Sequence, residues 1–581
     1  MQKHIVRRTP NPLASELPAQ LHPVLRRVLS LRGVCQTHEL DLGLEQLLPH
    51  TLLKGMSAAS ALLATAVMAQ KKLLVVGDFD ADGATSSALA VAALRALGAH
   101  HVDFLVPNRF TFGYGLTPEI VEVAASYHPD LLITVDNGIS SLDGVAAAKA
   151  RGMQVLITDH HLPGAVLPAA DAIVNPNQPG DVFPSKSLAG VGVIFYVLLG
   201  LRAELRARGW FTQINLPEPN LARFLDLVAL GTVADVVPLD RNNRILVHQG
   251  LRRIRAGHCT PGITALIQVA GRVRERLTTS DLAFALGPRL NAAGRMEDMS
   301  LGIACLLAEQ DAPALRMAEQ LDGLNQERKF VEDEMKMQAM SALQRVEFAG
   351  NDGMPFGLVV YDAHWHPGVI GILASRVKDK YHRPVIAFAD ANESEIKGSA
   401  RSIEGVHIRD VLDAVAAAHP GILKKFGGHA MAAGMTLARE HLDEFRMAFD
   451  MQIRKLVSSD HLRGLILSDG ELTADEISLE TADVLRNGMP WGQGFPEPQF
   501  DGKFTVVDQR IMAEKHLKLS LTSPGLARPL EAVAFSFADR LGMTSPPQIG
   551  DNLHIAYKLE PNHFRGETRL QLMLEYALHA A

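Results

Sequence analysis

From Lys71 onward the chain alternates short, β-rich apolar runs with Ala-rich stretches: Leu73 to Val76, Ala84 to Leu97, Val102 to Val106, Pro118 to Ser126, Leu131 to Val135, Leu142 to Arg151 and Val155 to Thr158. Runs too apolar to leave a face in water, separated by helix-length segments, predict βαβ repetition and a parallel doubly wound sheet. Such a sheet binds its ligands beyond the carboxyl ends of the strands. The acidic residues of this chain fall at those ends. Asp78, Asp80 and Asp82 follow the first run, in Gly77-Asp78-Phe79-Asp80-Ala81-Asp82-Gly83; Asp136 follows Val135; and Asp159, His160 and His161 follow Thr158.

Carboxylates this dense repel one another unless divalent cations neutralise them, and a mixed Asp/His set suits Mn²⁺ or Mg²⁺. Each piece alone has an ordinary reading. An Asp-rich turn caps helices, Asp136 precedes the turn-forming pair Asn137-Gly138, and paired histidines are common on surfaces. Convergence on one sheet edge favours the metal. Asp80 and Asp82 are expected to face the same way in extended backbone, with Gly83 turning the chain into a helix. The neighbouring rings of His160 and His161 are expected to diverge, one toward metal and one toward substrate, with Asp159 orienting an imidazole. A further helix, about Leu221 to Gly231, leads to Asp235, which can complete the ligand set. Two cations roughly 4 Å apart generate hydroxide from a shared water and stabilise charge developing at phosphorus, with no covalent nucleophile.

The rest of the 581 residues is too long for one core. Residues 1-69 read as an N-terminal arm with no evident chemistry, 70-240 as the metal-bearing α/β domain, and 241-350 as a helical region. The apolar spacing of Met317, Leu321, Leu324, Val331 and Met335 there predicts a long connecting helix. Residues 351-456 form a smaller α/β domain, and 457-581 a β-rich, OB-like barrel. Cys35, Cys259 and Cys305 are scattered, which supports neither disulfides nor a thiolate metal site and points to a reducing cytoplasm. No apolar run is long enough to span a bilayer, so no membrane is expected. The net charge of −7 does not advertise a nucleic-acid binder, yet Arg376, Lys378, Lys380, Arg383, Lys397, Arg401, Lys424 and Lys425 concentrate positive charge in one region.

The ordered elements Asp78 to Gly83, Asp136, Asp159-His160-His161 and Val233-Ala234-Asp235 resemble the four motifs of the DHH phosphoesterase superfamily. Phe426 to Gly434, with Gly427, Gly428 and His429, resembles the glycine-rich motif of the companion DHHA1 domain. Pro107-Asn108-Arg109 with Gly113 to Leu116, Gly287 to Arg295, Trp365 to Val369, and the segment from Pro490 to Pro498 are similar to the branch of bacterial single-strand-specific 5′ to 3′ DNA exonucleases.

That resemblance implies a two-metal enzyme releasing 5′-mononucleotides in DNA repair and recombination. One Mn²⁺ or Mg²⁺ would sit on Asp80 with Asp136, the other on Asp82, Asp136, His160 and Asp235; Asp78 and His161 stay open as further ligands. It also implies contacts to the strand from Arg109, Tyr114, Arg289, Asn291, Arg295, Ser399, Arg401, Gly427, Gly428 and His429, with Lys515 and Lys518 added by the barrel. Single-stranded DNA is the expected partner, delivered by a single-strand-binding protein and a helicase. Two other readings are a DHH and DHHA1 phosphodiesterase on short oligoribonucleotides or cyclic dinucleotides, and a catalytically inactive replication scaffold.

Overall fold

The computed structural model describes residues 3–9, 16–107, 115–345, 354–428, 430–458, 462, 464–513, 515–537, 541, 545–564 and 566–579, without the side chains of 339–345 and 564. Arg109, Tyr114 and His429 lie outside the described residues. The chain packs as two units, one made of Cys35–Gln326 with Asn487–Glu497, the other of Met1–Val34, Glu327–Arg486 and Pro498–Ala581.

In the first unit five strands form one parallel sheet: β1 (Leu73–Val76), β2 (Val102–Leu105), β3 (Leu131–Val135), β4 (Gln154–Thr158) and β5 (Ala172–Val174), in the spatial order β2-β1-β3-β4-β5. Every residue of β1 and β3 is buried, because helices cover both faces. The order reverses between β1 and β3, and that topological switch point opens a crevice beyond the strand ends. Helix α1 (Ala81–Ala96) starts four residues after β1, and α2 (Gly190–Ala207) and α3 (Leu225–Ala234) pack against it. The helix foreseen from Leu221 begins as a 3₁₀ turn over Leu221–Phe224 and becomes α-helical only at Leu225. Residues 487–497 close this unit as a strap: the Leu239 amide donates to the Gln493 carbonyl, the Thr279 hydroxyl donates to the Trp491 carbonyl, and the Trp491 and Phe495 rings stack 5.1 Å apart. Helix α4 (Gly287–Met296) lies in the same unit, preceded by a π-helical turn, Leu282–Leu286.

The long helix foreseen from the spacing of Met317 to Met335 is α5 (Asp311–Arg345), and the division between the units falls within it. The second unit carries a mixed sheet, β6 (Leu358–Tyr361), β7 (Val385–Asp390), β8 (Glu395–Arg401), β9 (Lys425–Gly428) and β10 (Ala432–Ala438), ordered β9-β10-β8-β7-β6, with α6 (Ile370–Tyr381) connecting β6 to its parallel neighbour β7. It also carries a closed five-stranded barrel of β11 (Phe500–Met512), β12 (His516–Thr522), β13 (Leu530–Ala534), β14 (Asn552–Phe564) and β15 (Glu567–His579). One parallel contact, β13 with β15, among otherwise antiparallel neighbours gives the OB topology that the spacing of short strands suggested. Among the described residues no single helix is long and apolar enough to cross a membrane.

The expected N-terminal arm divides between the units. His4–Arg7 pairs in parallel with Leu465–Ser468, and a buried charge cluster fastens it to the barrel. Arg32 grips Asp469 through two bonds of 2.9 Å, with both side chains no more than 2% exposed. Asp501 accepts from Arg7 Nε, the Ser468 hydroxyl and His554. Burial raises the Asp501 carboxyl, but the hydrogen bonds from Arg7, Ser468 and His554 prevail and hold it at about 2. A carboxyl depressed in the folded state stabilises the protein fully above its unfolded value near 4, and loses that contribution as the pH falls through 2. Asp501→Asn is therefore expected to flatten the decline in denaturant midpoint between pH 4 and pH 2. Arg32→Ala, which leaves the buried Asp469 with Arg8 at 3.3 Å and the Gln499 amide at 3.0 Å, should cost about 1.5–3 kcal/mol at neutral pH in the same measurement.

Candidate metal centre

Asp80 is the N-cap of α1. Its Oδ1 accepts from the amides of Asp82 (2.9 Å) and Gly83 (3.0 Å), so the turn expected to present Asp80 and Asp82 as extended backbone is already the start of the helix. The adjoining amide of Ala81 donates to Asn291 Oδ1 on α4 at 2.8 Å. Asp82, 1% exposed, is held by the N-terminus of α2: the Gly190 amide donates to its Oδ2 (2.6 Å) and the Val191 amide to its Oδ1 (2.9 Å). A helix N-terminus favours a carboxylate, which fixes Asp82 without using a side chain.

Asp136 follows β3 with φ +62°, a left-handed conformation that Asp tolerates better than most residues, and its amide donates to the Thr158 carbonyl. Gly190 makes room for it, since a Cβ there would stand 2.6 Å from both Cβ and Oδ1 of Asp136. Two other glycines serve close approach: a Cβ at Gly231 would meet Asp82 Oδ1 at 3.0 Å and Thr85 Oγ1 at 2.2 Å, and one at Gly294 would meet the Phe79 carbonyl oxygen at 1.8 Å.

His160 Nε2 lies 3.1 Å from Asp136 Oδ1 and 3.5 Å from Asp235 Oδ2, so the helix ending at Ala234 does deliver the fourth carboxylate. Asp159 organises the histidines. Its Oδ1 accepts from the amides of His160 and His161 and bonds His161 Nδ1 at 2.7 Å, while its Oδ2 accepts from the Ile139 amide. The two imidazoles do not diverge as expected: their centroids are 4.5 Å apart and both rings reach toward Asp136, because the bond to Asp159 draws His161 inward.

Ligand atoms within 4.8 Å of one another fall into three overlapping sets: Asp78, Asp80 and Asp136; Asp82, His160 and Asp235; and Asp136, His160 and His161. Asp136 belongs to two of them and stands at the centre of the cluster. Burial first, then the charges of neighbouring aspartates, push the carboxyls of Asp136 and Asp235 well above the usual range, and burial with the Asp80 charge pushes Asp82 to about 7. Burial lowers the imidazole of His161, but the Asp159 bond prevails and lifts it to about 9; Asp159, which burial raises, is drawn down by the same bond. The upward shifts of Asp82, Asp136 and Asp235 show that the clustered carboxyls cannot all ionise without further positive charge beside them. Divalent cations on oxygen-rich sites with imidazole support fit that donor set.

The remaining candidates divide. Arg289 pairs with Asp322 (2.7 Å) and bonds the Ala285 carbonyl, Asn291 supports the metal loop through the Ala81 amide, and Arg295 is half-buried on the same helix. Ser399 and Arg401 lie on β8, with Arg401 Nη1 donating to Ser399 Oγ at 3.2 Å. Ser399 is in register with Gly434, and Gly434 with Gly427, and nothing stands within 4 Å of where either glycine would carry a Cβ. Gly428 takes φ +148° where β9 turns. Lys518 is bound to Glu531, whereas Lys515 is exposed. Part of the basic region is neutralised locally: Arg376 by Glu332, Lys378 by Asp379 and Lys424 by Glu395. The amides of Gly190 and Val191 were missed from the sequence, and only an apolar Gly-x-Gly helix start, Gly190-Val191-Gly192, hinted at them.

Family models match in chain order: DHH family, N-terminal domain, over residues 72–232; DHHA1 domain over 355–455; and RecJ OB domain over 468–576. The single-stranded-DNA-specific exonuclease RecJ of Dickeya dadantii is 51% identical over 562 residues, 97% of each chain, and that of Escherichia coli K12 is 50% identical over 97% of this chain and 96% of its own. The chain belongs to the RecJ family of single-stranded-DNA-specific exonucleases. A crystal structure of RecJ from Thermus thermophilus in complex with Mn²⁺ superposes with a TM-score of 0.77 at 28% identity, covering 97% of this chain and 76% of that one; its Mg²⁺ complex gives 0.73 at 26%, covering 97% and 75%. For a RecJ nuclease the cradle around Asp136 becomes the critical packing. Gly190→Ala is expected to displace Asp136 and lower cation-dependent hydrolysis of single-stranded DNA by about 10²-fold or more. A cation titration should show weaker binding in the same variant.

Proposed function

We propose that this chain degrades single-stranded DNA from its 5′ end to 5′-mononucleotides, using two Mn²⁺ or Mg²⁺ ions held at the switch point of its parallel sheet. The observation that carries this reading is the convergence of Asp78, Asp80, Asp82, Asp136, His160 and Asp235 into overlapping sets with ligand atoms within 4.8 Å. Asp80 with Asp136, joined by Asp78, would hold one cation, and Asp82, His160 and Asp235 with Asp136 the other, so Asp136 would serve both. When bound, the ions would supply a hydroxide at neutral pH and positive charge beside the scissile phosphate. The chain's own part is positional. The N-terminus of α2 fixes Asp82, Asp159 fixes the histidine backbone, and His161, its Nδ1 proton engaged by Asp159, directs Nε2 toward the scissile phosphate.

The end of the strand needs a separate reader. A Cβ at Gly371, in the first turn of α6, would lie 2.8 Å from Ser399 Oγ and 2.9 Å from Arg401 Nη2, so Arg401 and a helix N-terminus address the same spot beside the bare backbone of Gly427 and Gly434. Those groups suit a terminal phosphate, with Arg109, Tyr114 and His429 as further contacts. The barrel would hold the trailing strand, with Lys515 among its contacts. We place the enzyme in the cytoplasm, in DNA repair and recombination, receiving its strands from a helicase and a single-strand-binding protein.

Digestion of 5′-labelled and 3′-labelled single strands tests polarity, product size and strand preference together. Labelled mononucleotide should appear first from the 5′ end, stop on chelation, and return with Mn²⁺ or Mg²⁺. Asp136→Ala should abolish release while single-strand binding persists; cleavage at the wild-type rate in that variant would refute the bridging role. Arg401→Ala should reduce the advantage of a 5′-phosphate over a 5′-hydroxyl end by about tenfold or more, read as a ratio of kcat/KM values.

A further inference from the structure

Phe284 is 80% exposed, more than any other large apolar side chain among the described residues. It occupies the π-helical turn Leu282–Leu286, whose residues Leu282, Ala285 and Leu286 are buried. Single-turn π segments insert a residue and re-aim the side chains beside it, and they concentrate at functional sites. Here the turn leads straight into α4, which is seated against the metal loop twice: Asn291 Oδ1 accepts from the Ala81 amide, and Gly294 lies so close to the Phe79 carbonyl that a Cβ would stand 1.8 Å from its oxygen. At the start of α4, a Cβ on Gly287 would meet the Cβ of Ala234 at 3.1 Å, so the π turn abuts the end of α3 that carries Asp235.

The residue after Asp235 is the second observation. Val236 has φ +63°, a conformation that a β-branched residue adopts only under constraint, and its side chain is 61% exposed. Asp235 points into the cluster, 3.5 Å from His160 Nε2, and the reversal at Val236 turns the next side chain outward. Two neighbouring elements that each set a group at the metal centre thus also present a solvent-facing apolar side chain, neither of which packs into the core.

We propose that Phe284, with Val236 on the adjoining element, is a stacking platform for a nucleobase of the single strand being degraded, and so a strand-holding residue beside the metal centre. An aromatic face suits an enzyme that accepts any sequence, because every base has a π-face and stacking reads none of them. A flat ring at the rim also offers nothing to a paired base, whose faces are covered by its neighbours in the duplex. This inference rests on the proposed two-metal hydrolysis at the same site.

The test compares wild type, Phe284→Ala, Phe284→Leu and Phe284→Trp on single-stranded oligodeoxynucleotides and on the same strands with abasic sites in the first several positions. Phe284→Ala should raise KM for the normal strand by about tenfold, with kcat within about twofold and an unchanged melting temperature. Phe284→Leu should fall between, and Phe284→Trp should restore KM and show quenching of the added indole when an oligonucleotide binds in an Asp136→Ala background. On abasic strands the difference between wild type and Phe284→Ala should vanish. An unchanged KM in Phe284→Ala, or an equal penalty on abasic and normal strands, overturns the platform, the latter assigning Phe284 to backbone or protein contact. Wild-type protein lacking cation-dependent hydrolysis would instead overturn the two-metal reading, so the two failures are distinguishable.

Discussion

Five carboxylates crowded at the end of a parallel sheet are a standing electrostatic debt, and much of the first unit is arranged around them. Buried negative charge persists only where something positive or a hydrogen-bond donor faces it. The protein meets part of the demand with backbone: the N-terminus of α2 for Asp82, and the amides of Ile139, His160 and His161 for Asp159. The remainder is left for cations. Gly190, Gly231 and Gly294 are small for the same reason, because the elements that supply these donors must come within contact of the acidic loops.

The division of labour among similar side chains follows from these supports. Asp159 and Asp136 are both fully buried, yet their carboxyls move in opposite directions, Asp159 down and Asp136 up. Asp159 has four donors; Asp136 faces other aspartates and an imidazole. The same residue type thus serves once as a fixed structural anion and once as a group that waits for a metal.

Much of this was legible in the sequence. The runs Leu73 to Val76 and Leu131 to Val135 were readable to the residue, because strands buried on both faces leave uninterrupted apolar stretches, and acidic residues stand out at their ends. The β-rich, barrel-forming character of the C-terminal region was legible too, though not how long its strands run. Backbone donors were not, since an amide carries no letter of its own: nothing about Gly190 or Val191 announces a bond to a residue more than a hundred positions away. The convergence of His160 and His161 was missed because adjacency in sequence suggests divergence, whereas a bond to Asp159 overrides it.

The pairing of His4–Arg7 with Leu465–Ser468 has a consequence for the order in which the molecule is assembled. The strand His4–Arg7 is synthesised more than 450 residues ahead of Leu465–Ser468, and it finds its partner only once they have followed. The sheet bearing the metal centre is synthesised in between and can condense early, but the strap 487–497 that closes it arrives nearly as late. Contacts so distant along the chain form slowly, and the exposed edge of an unpaired strand is prone to wrong partners until they do. The charged side chain of Arg7 at the end of that strand discourages such partners until the true one is made, and the Arg32–Asp469 pair then locks the arrangement.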